Sequence, residues 1–213
     1  MQALPDDGQL ARVLDTAEYN RLVGIRKALR RRQFLAGHWL VRKLACERLG
    51  GAPTDWQWCS SADGEPSLHR DGQAICISVS HSGEWLACAI SSEPVGIDVE
   101  VSARERDWLA LADYAFPSEV KLEWRDLTPP ERRLKFMNWW CLHEARCKRE
   151  GRGIQLNALR RLRVRSCLPA ASEAMSWSLP NGILALAGRM DVVLRGCIDQ
   201  RNWWRFESVM KLD

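Results

Sequence analysis

A chain of 213 residues, 46% hydrophobic and 27% charged, is long enough for a proper core and has the make-up of an ordinary globular protein rather than a disordered one. No apolar run nears the ~20 residues that span a bilayer as a helix, and the acidic amino terminus lacks the basic-then-apolar layout of a secretion signal. The expected setting is therefore cytoplasmic, with no membrane contact. A net charge of +4 is too small to argue for nucleic acid, but it suits acidic partners or a polyphosphate ligand.

The eight cysteines are scattered, with no C-x-x-C pair and no histidine at zinc-ligand spacing. They read as reduced, buried, small hydrophobes. Most of the eleven tryptophans stand among aliphatic neighbours in helical or strand patterns, so packing is the better reading than a base-stacking surface.

In chain order, Leu10, Val13, Leu14 and Ala17 form a short amphipathic segment. A longer helix is predicted from about Arg26 to Leu49 and ends at Gly50-Gly51 and Pro53. Its cluster Arg30, Arg31 and Arg32 reads either as a solvated face or as a phosphate-binding group. Trp56 and Trp58 then alternate with polar residues, and Asp63-Gly64 and Asp71-Gly72 mark turns. An antiparallel meander of three strands is predicted at 74–80, 85–90 and 95–100, with His81-Ser82-Gly83 as its first turn.

The last of those strands reads V-G-I-D-V-E. Asp98 and Glu100 stand at a spacing of two, which on a strand sends both carboxylates to one face. Two like charges so close call for a cation, and Mg2+, which takes oxygen ligands, suits them. A solvated strand end is the alternative. The Ser80-His81 pair is a weak signal for a hydrolase, because G-x-S-x-G is absent, but hydroxyl and imidazole near a strand turn can bind a phosphate oxygen.

Residues 103–131 are charged and broken by Pro117, Pro129 and Pro130. The strongest helix of the chain follows from Glu131 to Arg149, closed by Gly151 and Gly153. Trp140, Glu144 and Lys148 share one of its faces. Strands are predicted beyond it at 159–165, 176–179, 183–187 and 192–198. The polar carboxyl-terminal end with Trp203-Trp204 gives no pattern. Helix plus antiparallel strands, twice over, points to an α+β fold of two similar halves, divided as 1–102 and 103–213.

Four motifs occur in order: G-E-P at 64–66, S-V-S-H-S at 78–82, V-G-I-D-V-E at 95–100 and W-C-L-H-E-A-R-C-K at 140–148. Together they resemble the 4'-phosphopantetheinyl transferases of the larger, single-chain kind that prime peptide and polyketide synthase carriers. The resemblance covers residues 26 to about 160. It implies two pseudo-symmetric halves, each a long helix on a small antiparallel sheet, with a ligand cleft between them and a monomeric working form. It also implies transfer of 4'-phosphopantetheine from coenzyme A to a serine of an acyl or peptidyl carrier protein. Asp98, Glu100 and Glu144 match the family's Mg2+ ligands, and Glu144 matches the group proposed to take the serine proton. Lys148 would neutralise phosphate charge, while Ser80, His81, Arg31 and Arg32 match contacts to the coenzyme's phosphates.

Three departures remove a cation that would face phosphate. Glu65, His143 and His38 stand where the family carries lysine, lysine and often arginine. A protonated His143, its pKa raised by nearby carboxylates and phosphate, would restore one of them. The alternative function is a coenzyme-A-binding or carrier-binding regulatory homologue with impaired catalysis.

Overall fold

A computed structural model of the chain describes residues 5–61, 64–102, 104–188 and 202–208. The elements in order are α1 (Asp7–Ala11), α2 (Thr16–Gly24), α3 (Ala28–Leu49), β1 (Gln57–Ser60), β2 (Pro66–Arg70), β3 (Gln73–Ser82), β4 (Trp85–Ser91) and β5 (Gly96–Val101). After them come α4 (Trp108–Ala115), α5 (Glu119–Trp124), α6 (Pro129–Arg149), α7 (Leu156–Leu159), β6 (Leu162–Ser166), β7 (Ala174–Leu179), β8 (Gly182–Ala187) and β9 (Asn202–Ser208). The fold is α+β, with two antiparallel sheets ordered β1-β2-β3-β4 and β5-β8-β7-β9-β6.

Local sequence explains most boundaries. Asp15 caps α2 reciprocally with Glu18, and Thr128 caps α6 with Glu131, whose carboxylate accepts from both the Thr128 amide and hydroxyl. Pro129 and Pro130 occupy the first turn of α6, where a missing N–H costs nothing. Asp71-Gly72, both at positive φ, turn β2 into β3 as expected.

The structure corrects the predicted meander. β3 and β4 form a hairpin, but β5 leaves that sheet and becomes an edge strand of the second, antiparallel to β8. β3 also runs two residues past its predicted end, so Ser82 pairs with Trp85 and the turn falls on Gly83-Glu84. The strand expected from residue 159 starts at Leu162, because 156–159 wind into α7. The strand expected at 192–198 lies outside the described residues. The unpatterned end forms β9, seated between β7 and β6.

Helix α3 covers the first sheet, with Val41 and Ala45 packed against Trp56, Leu68, Ile75 and Ile77. The second sheet is buried on both faces. Ile183, Ala185 and Ala187 of β8 meet the α4–α6 layer, whereas Leu184 and Leu186 join Ile97, Val99, Met175 and Trp177 against the first sheet. This two-sided burial makes β8 read as a continuous apolar run rather than an alternating one. Among the described residues no helix is long and apolar enough to cross a membrane.

Candidate active site

The alternation of β5 splits its six residues between two tasks. Ile97 and Val99 face the inter-sheet core, so Asp98 and Glu100 emerge together on the α6 side. Gly96 lets the helix come down onto the strand, since a Cβ there would fall 2.6 Å from the Arg149 amide nitrogen and closer still to the Ala145 carbonyl oxygen. That contact delivers the last two turns of α6, with Glu144 and Lys148, to the carboxylates.

Asp98 is 5% exposed. Its Oδ1 accepts from Ser80 Oγ at 2.7 Å and from Lys148 Nζ at 2.8 Å, and Lys148 also donates to the Ile97 carbonyl at 3.1 Å. The other oxygen, Oδ2, is buried with no hydrogen-bond partner. Glu100 accepts from Ser82 Oγ at 2.9 Å. Burial pushes the Glu144 carboxyl above the usual carboxylate range, Asp98 and Glu100 push it further, and Lys148 opposes them. Burial and Asp98 likewise raise Glu100, against the Ser82 bond and Lys148. Beneath them the buried Cys141 thiol is driven well above its ordinary value by burial and then by Asp98 and Glu100.

A buried Asp98 whose charge raises both Glu100 and Glu144, an orphaned buried oxygen and an all-oxygen donor set suit a hard divalent ion such as Mg2+. Asp98, Glu100 and Glu144 are the residues that would hold it. Among the described residues no three His, Cys, Asp or Glu side chains, these included, stand as a ready-made metal site.

Not every predicted contact reaches this place. Ser80 is buried, and its single O–H is committed to Asp98, so it supports the carboxylate rather than meeting a ligand. His143 is 1% exposed and sits among the rings of Phe116, Trp139 and Phe206. Burial, with Arg146 adding to it, lowers its pKa to about 3. The expected protonated cation is therefore a neutral core residue. His38 is also inside, bonded to Glu18 and stacked on Trp58. Glu65 lies against Gly151, just past the end of α6.

The arginine cluster divides by helical phase. Arg31 donates to the Leu22 carbonyl at 2.9 Å, and Arg32 pairs with Asp7 and donates to the Pro5 carbonyl, so these two tie the amino-terminal helices to α3. Arg30 instead stays exposed, with its charge near enough to act on His81. After burial, it is the charge that most lowers the His81 pKa, followed by Lys148, with Asp98 opposing. The face was countable: Gly37 packs on Val79 of β3, Gln33 donates to the Gly83 carbonyl at 2.9 Å, and Arg30 follows one turn back. Ser82, expected in a turn, lies on β3 instead, where the two-residue alternation sets it on the same side as Ser80. Two surface cavities of about 350 and 330 Å³ share Lys135, Asn138 and Trp204 in their walls and contain none of these residues.

Comparison with curated proteins gives a consistent relationship. The 4'-phosphopantetheinyl transferase Sfp of Bacillus subtilis is 30% identical over 125 residues, 57% of this chain and 53% of that protein. The 4'-phosphopantetheinyl transferase gsp of Aneurinibacillus migulanus is 29% identical over 136 residues, 64% of this chain and 54% of that protein. HetI of Nostoc sp., also named a 4'-phosphopantetheinyl transferase, is 30% identical over 128 residues, 58% and 54%. No family model matches the chain. The chain is thus similar, over somewhat more than half of its length, to curated 4'-phosphopantetheinyl transferases, which are transferase enzymes. It spans about half the length of the curated relatives it matches.

Proposed function

We propose that the chain transfers 4'-phosphopantetheine from coenzyme A to a serine of an acyl or peptidyl carrier protein, converting apo to holo carrier. The observation that carries this reading is the meeting of Asp98, Glu100, Glu144 and Lys148 where β5 lies under α6, in a relative of the 4'-phosphopantetheinyl transferases. Mg2+ held by Asp98, Glu100 and Glu144 would supply Lewis-acid stabilisation of charge on the pyrophosphate oxygens.

The chain's own residues do the rest. Glu144, on the α6 face it shares with Lys148, accepts the proton of the carrier serine directly or through water. The serine oxygen bonds to the β-phosphorus of coenzyme A. The bond from that phosphorus to the bridging oxygen breaks, and adenosine 3',5'-bisphosphate departs with the electron pair. Lys148 offers positive charge to the phosphate oxygens one helical turn from Glu144. Arg30 and His81 form a second phosphate contact across the cleft.

This reading includes two pseudo-symmetric halves, 1–102 and 103–213, each a helix on a sheet, and a monomer working in the cytoplasm. The swap of β5 into the second sheet would join the halves. A transfer assay on a panel of apo-carriers, run with Mg2+ and with chelator, tests it.

A second reading, a coenzyme-A- or carrier-binding regulator without turnover, draws on the Glu65 carboxylate beside the end of α6 and on the Lys148–Asp98 ion pair. It predicts saturable coenzyme A binding with no product on any carrier.

A further inference from the structure

β5 is bonded to β8 along one edge, which leaves the amides of its other edge to find partners elsewhere. They are met by side chains of β3. Ser78 Oγ accepts from Ile97 N at 3.0 Å, Ser80 Oγ from Val99 N at 3.3 Å and Ser82 Oγ from Val101 N at 3.1 Å. The partner advances with the serine by two residues each time, so the two strands run parallel and the hydroxyls act as rungs between the sheets.

A hydroxyl has one hydrogen to give as well as lone pairs to offer. Ser80 gives its hydrogen to Asp98 and Ser82 gives its own to Glu100, each one residue before the amide it accepts from. The same offset would carry Ser78 to position 96, where glycine has no side chain to receive it. The ladder therefore contains two rungs that hold a carboxylate and one that only joins strands.

We infer that Ser82 and Ser80 are positioning residues for Glu100 and Asp98. The strand that joins the two sheets also fixes where both carboxylates stand, and Ser78 performs the joining alone. The inference rests on the proposed role of those carboxylates, but it concerns their placement.

The test compares Ser82→Ala with Ser78→Ala, since each loses one rung and only the first releases a carboxylate. Calorimetry with Mn2+ as the probe ion is expected to show binding weakened about tenfold or more in Ser82→Ala relative to Ser78→Ala, as for loss of one hydrogen bond to a charged group. Ser82→Thr, which keeps a hydroxyl and suits a strand, is expected to restore it. In a Glu100→Gln background Ser82→Ala is expected to add no further loss. Equal effects of Ser82→Ala and Ser78→Ala, or no rescue by threonine, overturn the inference. Should the unaltered protein bind no Mn2+, the metal part of the proposed function falls by itself. Crystal structures of the two alanine variants then decide the placement. Glu100 leaving its position only in Ser82→Ala supports the inference, and Glu100 staying put in both overturns it.

Discussion

Gly96 of β5 and Ala145 of α6 are in backbone contact, with no room between them for a side chain. A single hydrogen at position 96 thus determines how near Glu144 and Lys148 come to Asp98. Gly96→Ala forces helix and strand apart, and overpacking of this kind costs about 1–3 kcal/mol or more. A thermal melt should fall by ~2–4 °C per kcal/mol for a chain of this size. Gly24→Ala, where nothing lies within 4 Å, is the control and should melt with the unaltered protein or above it.

His143 makes the protein sensitive to acid. Its folded pKa of about 3 lies below the ordinary 6.5, so between those values the unfolded chain binds a proton that the folded one refuses. Stability from this group is full above pH 6.5 and declines by ~1.4 kcal/mol per pH unit as pH falls toward 3. Urea titrations from pH 7 to 4 should show a shallower slope in His143→Phe than in the unaltered protein. His143→Lys is expected to destabilise, because it places an ammonium among aromatic rings.

Glu18, His38 and Arg42 form a buried polar group under α2. Arg42 is 1% exposed and donates to Glu18 at 2.8 Å, to the Trp56 carbonyl at 2.9 Å and to the His38 carbonyl at 3.2 Å. Glu18→Ala strands that guanidinium without its counter-ion, at a cost of about 3–5 kcal/mol in denaturant unfolding. Glu18→Leu combined with Arg42→Met should cost less than the sum of the two single changes.

The arginines should separate in binding experiments. Arg30→Ala is expected to weaken coenzyme A binding about tenfold, as for a lost charge-assisted contact. Arg31→Ala and Arg32→Ala are expected to lower melting temperature with little effect on affinity. Calorimetry of the three variants at one ionic strength checks this.

The parts legible in the sequence were those encoded locally. Proline, capping Glu131 and closing glycine bounded α6, and the i, i+2 spacing placed Asp98 and Glu100 on one face. What escaped depended on long-range packing. Nothing near V-G-I-D-V-E says that the strand will pair with residues 182–187 rather than with its neighbour β4. His143 lies one residue before Glu144 on α6, but a helix turns ~100° per residue, enough to send one side chain to the carboxylates and the other into the core. Arg30, Arg31 and Arg32 differ by the same rotation. The contacts of Gly37 with Val79 and of Gln33 with Gly83 show that Arg30 is the one on the face turned to β3.

The central claim is tested most directly by the intact mass of apo-carrier proteins after incubation with this protein, coenzyme A and Mg2+. A gain of one phosphopantetheine per carrier is predicted. It should disappear in Asp98→Ala and fall ~10²–10⁴-fold in rate in Glu144→Gln, the range for loss of a positioned base. No gain on any carrier, with coenzyme A still bound in calorimetry, would contradict transfer and leave a binding protein.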